Sequence, residues 1–544
     1  MIPDTRKILF INPPIINIDN AEQTDFVMKR QSIENLPYGI LSMCSYLKDQ
    51  FKDTIEIKVI DLNVEIYKAY LDKIVDLKSH VEDICRRTVD EFQPDIVGIS
   101  IMFTISYSYL ASIAGSMKKQ RPGSMIIVGG NFATSSYREI LKNEDVDAVC
   151  YGEGEIPVAQ LIAAGDMAAE VRGNSSFITR EGLNAERQPA NKMIEDLDLL
   201  PPIDFNYVEY GYYEKPKVRI FQKEALAVES EPATLVIYTS RGCPFNCCFC
   251  ACHVMHGKQV RYMSVERVIR DITLMIREYG IQCLFINDDN FLLNKTRAKK
   301  ILRELVALNI TVNFPSVLMR NIDDEIAGLL SQLGVTTQLV SIESGSDYVL
   351  KHLIDKPLRK EEMKVSIENL RRHNISCDTN VIIGFPGETD EHRQETLETV
   401  DGLGFNWVYY FIVLPVPGTK LYKQCEENGY LVDRDFFSPN FSKCNIRTPE
   451  CSPEHVEQQV YMMNLHSNFV HNYNLRIGNY DKCIMQFSGI VKLYPDHAFA
   501  YHGLARAHQG KGDAQAAEMN RAKFREIIRR DPYWKQWADY FHLA

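Results

Sequence analysis

Three cysteines at C-x3-C-x2-C spacing, Cys243, Cys247 and Cys250, have the clearest capacity for metal chemistry in this 544-residue chain. They follow the apolar run at 234–238, which predicts a strand that ends at the cysteine loop. Thiolates are the ligands of iron–sulfur clusters, and a 4Fe–4S cluster normally needs four of them. Three thiolates would leave one iron open to bind and reduce a small molecule at the end of that strand.

The same segment also has the ligand spacing of a zinc site. Cys247, Cys250, His253 and His256 stand at separations that zinc ligands adopt. The cysteines alone favour the cluster, and the residues that follow them along the chain must decide between the two metals.

Downstream of the cysteines, alternating apolar runs and helical patterns predict a partial parallel (β/α)6 barrel. The predicted strands lie at 234–238, 283–287, 311–317, 337–342, 377–383 and 407–414, and the helices between them at 265–279, 296–308, 323–332, 360–373 and 391–403. Parallel barrels place their chemistry at the carboxyl ends of the strands.

Polar residues stand at those predicted strand ends. Asp288 and Asp289 follow the second strand, Ser341 and Glu343 end the fourth, and the motif at 384–389 follows the fifth. Each also has a structural interpretation: Asp289 or Thr389 as a helix cap, and Glu343 as a buried ion-pair partner. Their order after the three cysteines favours a shared site.

The first 165 residues predict a doubly wound parallel sheet, because short strands alternate with helices. The predicted strands lie at 7–12, 55–62, 95–101, 125–128 and 146–150, and the helices at 38–49, 77–91, 106–119, 135–142 and 155–163. Ligands of such sheets bind at the carboxyl ends of the strands, here residues 100–104, 129–131 and 152–155. Glycines at these ends serve either a ligand or a tight turn.

The motifs Val97-Gly98-Ile99-Ser100, Val128-Gly129-Gly130 and Tyr151-Gly152-Glu153-Gly154-Glu155 resemble the cobalamin-binding domain that precedes many radical S-adenosylmethionine (SAM) enzymes. This Rossmann-like resemblance implies cobalamin contacts by Ser100, Thr104, Gly129, Gly130, Asn131, Gly152 and Glu153. The D-x-H-x-x-G motif of many cobalamin proteins is absent, and His80 is the only histidine before the cysteines. The resemblance therefore implies cobalamin without a histidine on its lower face, or a related domain that binds nothing.

Residues 235–429 resemble the radical SAM superfamily, in its cobalamin-dependent branch related to methyltransferases and to the anaerobic Mg-protoporphyrin cyclase. The resemblance implies that Cys243, Cys247 and Cys250 hold a 4Fe–4S cluster whose open iron binds SAM. It assigns SAM contacts to Phe249, Asp288, Asp289, Ser341, Glu343, Ile383 and Gly384. Cys248 and Cys252 lie outside the pattern.

This resemblance implies an enzyme that cleaves SAM to a 5′-deoxyadenosyl radical and, via methylcobalamin, methylates an unactivated carbon or a phosphorus of a small molecule. It also implies a low-potential electron donor of the flavodoxin or ferredoxin kind. One alternative is a cyclisation, rearrangement or oxidation without methyl transfer. Another is a metal-bearing binding module whose C-terminal helices do the work.

The C-terminal residues predict helices of the tetratricopeptide (TPR) type. Gly478 and Gly512 begin similar segments 34 residues apart, which is the TPR period. The tail could recruit a protein partner, extend the substrate pocket or act as a plain helical cap. The predicted domains are 1–165 for cobalamin, 166–233 as an irregular linker, 234–440 as the barrel and 441–544 as the TPR-like tail.

Composition excludes some classes of function. A net charge of −11 argues against nucleic acid as the partner, and no apolar stretch reaches the roughly 20 residues of a membrane span. The N-terminus runs into a strand without the pattern of a signal peptide. Fourteen scattered cysteines indicate a reducing, oxygen-poor cytoplasm and not a disulfide framework.

Overall fold

The computed structural model describes residues 5–20, 22, 24–25, 36–185, 188–213, 234–315, 317–432 and 443–543. The chain divides into two compact units. The first contains the described residues within Met1–Lys217, Pro232–Phe291 and Pro415–Asn440, and the second those within Leu292–Leu414 and Phe441–Ala544. The predicted boundary at 440 and the end of the predicted linker, 214–233, lie outside the described residues. The domain boundaries therefore stay predictions.

The first unit contains the predicted N-terminal sheet, with strand order β2-β1-β3-β4-β5-β6. Strands β1 to β5 are parallel, and β6 pairs antiparallel with β5. Ile8 and Phe10 of β1 and Ile127 of β4 are buried in one core, as expected for strands covered by helices. The strands are β1 (Arg6–Asn12), β2 (Ile55–Asp61), β3 (Ile96–Ser100), β4 (Met125–Gly129), β5 (Ala148–Cys150) and β6 (Phe177–Ile178).

Helices separate these strands, as the alternation predicts. They are α1 (Tyr38–Phe51), α2 (Leu62–Leu71), α3 (Leu77–Phe92), α4 (Thr104–Tyr107), α5 (Leu110–Gln120), α6 (Asn131–Ser135), α7 (Tyr137–Ile140) and α8 (Glu155–Ala163). The sequence did not predict α2, which starts directly after β2. The Asp61 carboxylate accepts a hydrogen bond from the Asn63 amide and caps this helix.

The segment predicted as an irregular linker contains regular elements. Helices α9 (Met167–Gly173) and α10 (Arg180–Asn184) flank β6, which extends the sheet by one strand. Three short 3₁₀ turns follow at Leu197–Leu199, Phe205–Tyr207 and Tyr210–Tyr212. The prediction of little regular structure was wrong up to residue 213, because two-residue strands and single helical turns leave no periodicity.

The first unit also contains β7 (Thr234–Ile237), β8 (Ser240–Arg241), α11 (Cys252–His256), β9 (Arg261–Tyr262), α12 (Val265–Tyr279), β10 (Cys283–Ile286) and α17 (Lys420–Glu427). Strands β7 and β10 pair in parallel. Strands β8 and β9 form a short antiparallel ladder that encloses the three cysteines. Ser264 caps α12 with its side chain and Gly280 ends it with φ of 62°, both at the predicted positions.

The second unit continues the β/α series with α13 (Lys295–Ala307), β11 (Thr311–Asn313), α14 (Asp324–Gln332), β12 (Thr337–Glu343), a π-helical turn (Val349–Ile354), α15 (Lys360–Arg372), β13 (Ser376–Ile383), α16 (Asp390–Leu403) and β14 (Trp407–Ile412). Strands β12, β13 and β14 form a parallel sheet in that order. All six predicted strand–helix repeats are present, with ends within a few residues of the predicted ones.

The tail belongs to the second unit and is helical, as predicted. It comprises α18 (Pro453–Leu465), a π-helical turn (His466–Val470), α19 (Tyr473–Arg476), α20 (Tyr480–Leu493), α21 (Ala498–Gly510), α22 (Ala514–Arg530) and α23 (Pro532–Tyr540). Gly478 and Gly512 have φ of 77° and 82°, and each stands two residues before a helix. The assignment to the TPR type stays a prediction.

Within the described residues, every helix is too short or too polar to cross a membrane.

Candidate functional site

The three candidate cluster cysteines lie in one loop between β8 and α11. Cys243, Cys247 and Cys250 are all partly exposed, in contrast to most other cysteines of the chain, which are buried. The loop begins at Gly242, whose φ of 96° and close approach to the Gln259 carbonyl leave no room for a Cβ atom. Partly exposed thiols in one loop suit a metal cluster that must also meet a small molecule.

Two aspartates hold the start of this loop. The Asp288 carboxylate, which is 7% exposed, accepts hydrogen bonds from the Thr239 amide and hydroxyl and from the Ser240 hydroxyl, at 2.5–2.6 Å. Asp289 accepts a hydrogen bond from the Gly242 amide at 2.9 Å. The predicted SAM contacts of both residues stay predictions, but their observed partners are groups of the cluster loop.

The two cysteines outside the pattern have protein partners. The Cys248 thiol is buried. The backbone carbonyl of Cys248 accepts a hydrogen bond from the Leu421 amide on α17 at 2.9 Å. Burial, followed by the neighbouring Asp289 carboxylate, raises the pKa of Cys252 far above its usual value. The burial of the Cys248 thiol supports the assignment of the ligands to the three partly exposed thiols of the C-x3-C-x2-C pattern.

The histidines of the zinc alternative differ in their surroundings. His256 Nδ1 lies 2.8 Å from Oε1 of Glu153, so a carboxylate occupies this ring nitrogen. His253 Nδ1 and the Asn246 side-chain oxygen, both close to the cysteines, are buried without a hydrogen-bond partner among the described residues. Buried polar atoms of this kind usually meet a group that binds there. The loop therefore fits a bound cluster with its ligand.

Among the candidate residues of the second unit, Glu343 has the most unusual backbone. Its φ is 63°, which is rare outside glycine, and the pairing of β12 with β13 shifts register between Ser341 and Glu343. Its buried side chain forms an ion pair with Lys356 at 2.9 Å, so its structural interpretation is confirmed. The Ser341 hydroxyl accepts a hydrogen bond from the side-chain amide of Asn380 at 3.4 Å. Strained backbone at a strand end is typical of binding sites.

The motif after β13 forms a tight turn that a buried acid holds. Gly384 has φ of 101°, and its amide donates a 2.6 Å hydrogen bond to Glu388. Burial raises the pKa of Glu388 to about 7, although the Gly384 amide and Arg393 favour its ionised form. Ile383 is fully buried, and its predicted contact with SAM stays a prediction. Thr389 caps α16, which confirms its structural interpretation.

The candidate cobalamin residues lie at the carboxyl edge of the N-terminal sheet. Ser100 ends β3 and Thr104 begins α4; Gly129 ends β4 and Asn131 begins α6. Gly130 has φ of 104°, and a Cβ atom there would lie 2.6 Å from the Ile101 carbonyl oxygen. Met102 and Phe103 at the same edge are 38% and 47% exposed. Exposed apolar side chains beside a glycine turn fit the flat, largely apolar macrocycle of cobalamin.

This edge packs directly against the cluster loop inside the first unit. The Thr134 hydroxyl on α6 lies 3.6 Å from the Met255 sulfur on α11, and it accepts a hydrogen bond from the Gly152 amide at 3.1 Å. A Cβ atom on Gly418, before α17, would lie only 3.2 Å from the Ser135 Cβ atom. The sheet edge, the cluster loop and the start of α17 therefore form one site.

The structure also reveals an ion-pair cluster that the sequence did not predict. It consists of Glu153, directly after β5, with Arg241 of β8, Arg261 of β9 and His256 of α11. The only signal in the sequence is a Gly-Glu-Gly-Glu motif in one region and arginines flanking the cysteines in another. A single sequence does not show which of them meet.

Two family profiles match this chain. One, described as the B12 binding domain, matches residues 37–162, and the other, described as the Radical SAM superfamily, matches residues 237–400. The two matches cover β2 to β5 of the N-terminal sheet and most of the predicted barrel.

The alignments with three curated relatives cover most of the length of each relative. An uncharacterized methyltransferase from Pyrococcus horikoshii is 27% identical over 78% of this chain and 84% of its own. Cytidylyl-2-hydroxyethylphosphonate methyltransferase from Streptomyces wedmorensis is 26% identical over 69% of this chain and 76% of its own. The anaerobic magnesium-protoporphyrin IX monomethyl ester cyclase from Cereibacter sphaeroides is 23% identical over 71% and 60%.

Solved structures share the fold. The cobalamin-dependent SAM radical enzyme OxsB, with aqua-cobalamin bound, has a TM-score of 0.62 at 13% identity and covers 98% of this chain and 84% of its own. The radical SAM methyltransferase TsrM from Kitasatospora setae, with cobalamin and a [4Fe-4S] cluster bound, has a TM-score of 0.56 at 16% identity, covering 84% and 81%. The chain therefore contains a B12-binding domain within residues 37–162 and a radical SAM domain within residues 237–400.

Proposed function

We propose that this protein is a cobalamin-dependent radical SAM methyltransferase that acts on an unactivated carbon or a phosphorus of a small molecule. The observation that carries the proposal is the packing of the cluster loop on the carboxyl edge of the B12-type sheet, through Thr134 and Met255. A methyl group that passes from SAM by way of cobalamin requires the two cofactors to be neighbours. When bound, the cluster supplies the electron that cleaves SAM to a 5′-deoxyadenosyl radical, and cobalamin carries the methyl group.

The residues of the chain bind and orient these groups. Cys243, Cys247 and Cys250 would hold three irons and leave the fourth for the amino and carboxylate groups of SAM. Asp288 binds Thr239 and Ser240 directly before the loop that carries the thiols, and Asp289 binds the Gly242 amide at its start, so the two carboxylates fix where this loop begins. Gly129 and Gly130 leave room for cobalamin at the sheet edge. The N-terminal domain itself would offer cobalamin no imidazole at these strand ends, because its single histidine, His80, lies on α3.

The substrate and the electron donor can be proposed only as chemical classes. Two of the relatives bear the names of methyltransferases, and one of these acts on a phosphonate by its name. These names support a small-molecule acceptor. We include a flavodoxin- or ferredoxin-like donor, because reductive cleavage of SAM needs a low-potential electron. No disulfide joins any of the fourteen cysteines, which all lie in the described part of the chain, and this supports our placement of the protein in a reducing cytoplasm.

The test is anaerobic reconstitution with iron, sulfide and hydroxocobalamin, followed by a strong reductant and SAM labelled on its methyl group. We expect one cobalamin per chain, formation of 5′-deoxyadenosine and methyl label on the bound cobalamin. Cys247→Ala should lose the cluster and stop 5′-deoxyadenosine formation. Cys248→Ala is the matched control, and it should retain both because its thiol is buried outside the ligand set.

Other outcomes would redirect the proposal. Bound but unlabelled cobalamin would favour a cyclisation or rearrangement over methyl transfer. SAM cleavage without bound cobalamin would overturn the cofactor assignment of the N-terminal sheet. Stoichiometric zinc in place of iron and sulfide would favour a metal-bearing binding module.

A further inference from the structure

A buried carboxylate joins the N-terminal sheet to the cluster loop. The side chain of Glu153 is 3% exposed, and it follows β5 at the carboxyl edge of the sheet. Its Oε2 accepts hydrogen bonds from Arg241 at 2.9 Å and from Arg261 at 3.0 Å. Its Oε1 binds Arg261 and lies 2.8 Å from Nδ1 of His256. All four residues belong to the first unit.

The two arginines need this carboxylate because they face each other. Arg241 of β8 and Arg261 of β9 are directly opposite in the antiparallel ladder. Like charges at directly opposed positions destabilise such a pair of strands, and more so when they are buried. The Arg261 side chain is 2% exposed and that of Arg241 is 14% exposed. Glu153 pairs with both arginines, and Glu155 supplies a second negative charge to Arg241 alone, at 2.8 Å.

Strands β8 and β9 form the base of the cluster loop. The loop between them, residues 242–260, contains all three candidate ligands and α11. His256 on α11 binds the same carboxylate, so Glu153 contacts both strands of the base and the helix of the loop. A parallel connection runs through Asn191, which accepts a hydrogen bond from the Glu153 amide and donates one to the Met255 carbonyl.

We propose that Glu153 is a positioning residue that closes the base of the cluster loop on the B12-type sheet and thereby fixes the cluster relative to cobalamin. The second half of this statement rests on the proposed function; the first half depends only on contacts within the chain. It replaces the direct cobalamin contact that the resemblance implied for Glu153, because protein groups bind both of its oxygens.

The ionisation of the cluster agrees with this role. Burial by itself would raise the pKa of Glu153, but the hydrogen bonds from His256 and Arg261 and the charges of both arginines lower it below its usual range. The carboxylate therefore stays charged in neutral solution. Removal of its charge would leave the fully buried Arg261 uncompensated.

The first measurement is hydrogen exchange of the reconstituted full-length protein, in the wild type and in Glu153→Gln. We expect peptides from 242–260 to exchange at least tenfold faster in the variant, because the opposed arginines would separate the base strands. Asp147→Asn is the matched control. It removes a carboxylate that binds Lys118 and the Ile126 amide at the other end of β5, and it should leave the loop unchanged.

The second measurement is the magnetic coupling between the reduced cluster and cobalt(II) cobalamin, read from the relaxation of the cobalt EPR signal. We expect one coupled population in the wild type and a broad or uncoupled population in Glu153→Gln, with iron and cobalamin contents unchanged. Arg261→Gln added to Glu153→Gln removes the uncompensated charge and should recover part of the loop's protection. Glu153→Asp, with a shorter reach, serves if Glu153→Gln is insoluble and should fall between the two.

The proposal would be overturned if residues 242–260 of Glu153→Gln, or of Glu153→Asp in its place, exchanged hydrogen at the wild-type rate, whatever the magnetic coupling shows. Faster exchange with unchanged coupling would overturn its second half and leave Glu153 as a purely structural residue. A wild-type protein that binds no cobalamin would instead contradict the proposed function, and the exchange result would still decide the role of Glu153.

Discussion

At the scale of single residues, acidic side chains at the strand ends shape the loops of the candidate site. Asp288 binds the amide and hydroxyl of Thr239, and Glu388 binds the amide of Gly384. In both loops the carboxylate takes the place of a backbone partner that an irregular turn lacks. What distinguishes Glu388 is that its second oxygen is buried without a hydrogen-bond partner among the described residues.

Glu388→Gln should make the protein less sensitive to alkaline pH. Burial raises the pKa of Glu388 to about 7 from its ordinary value of 4.5, so the folded state favours the protonated acid. This preference stabilises the fold below pH 4.5, and the stabilisation is lost as the pH rises through 7. The full loss corresponds to about 3 kcal/mol in the free energy of unfolding. Glutamine keeps an oxygen for the Gly384 amide and cannot ionise. The melting temperature of the Glu388→Gln variant should therefore rise relative to that of the wild type between pH 5 and pH 8.

The measurement is thermal unfolding of the reconstituted proteins under anaerobic conditions, in steps of one pH unit. Glu398→Gln provides the control, because it makes the same chemical change at an exposed position of α16, the helix that follows Glu388. A difference between Glu388→Gln and wild type that stays constant from pH 5 to pH 8 would contradict the prediction.

At the scale of elements, most strands and long helices of the two α/β regions could be predicted from the sequence. Apolar runs such as the one at β1 and helical spacing such as that of α12 carry strong local signals, and Ser264 and Gly280 mark the ends of α12. The missed elements lack such signals. Helix α2 begins directly after β2 without a turn residue, and β6 has only two residues.

The π-helical turn at His466–Val470 is another element that no sequence pattern indicated, and it covers an exposed strand edge. It places Asn468, which is fully buried, beside β14. The Asn468 side chain accepts a hydrogen bond from the Val408 amide at 2.9 Å and donates one to the Val408 carbonyl at 2.8 Å. A side-chain amide thus pairs with the edge of β14 as a further strand would.

Asn468→Ala should destabilise the second unit. The substitution leaves the buried amide and carbonyl of Val408 without partners, and each such group costs about 1–3 kcal/mol. We expect a lower denaturation midpoint and faster hydrogen exchange in β14. Asn464→Ala, one turn earlier, removes a hydrogen-bond acceptor of Asn468 but leaves both hydrogen bonds to Val408 in place, so it should cost clearly less. Equal losses in the two variants would show that the contact with β14 is not what Asn468 contributes.

At the scale of the whole molecule, the compact units do not coincide with the predicted domains, because each unit combines separate stretches of the chain. The first unit combines the N-terminal sheet with β7, β10 and the cluster loop, and the second combines β11 to β14 with the tail. The spacing of Cys243, Cys247 and Cys250 was visible in the sequence because all three lie in eight residues. The contact of Glu153 with Arg241 and Arg261 was not, because it joins residues about a hundred positions apart.

The tail is part of the core of the second unit. The Tyr410 hydroxyl of β14 lies 2.7 Å from the Ser467 hydroxyl, and the rings of Trp407 and Phe469 meet at a centroid distance of 5.7 Å. On the other side of the tail core, the Gly503 backbone lies so close to the Phe487 ring that a Cβ atom would clash. Such close packing favours the helical cap among the roles considered for the tail.

Removal of residues 453–544 should therefore yield insoluble or aggregated protein, because it exposes the edge and one apolar face of β14. A tail that only recruits a partner would leave a soluble protein with wild-type formation of 5′-deoxyadenosine. Soluble yield, size-exclusion profile and SAM cleavage after reconstitution separate the two. Residues 453–544 expressed together with 1–452 should restore soluble protein, since the buried contacts of Tyr410 and Asn468 can form between separate chains. Met519→Ser is the control at the surface of the tail. This residue is 67% exposed, so its substitution should change neither soluble yield nor activity.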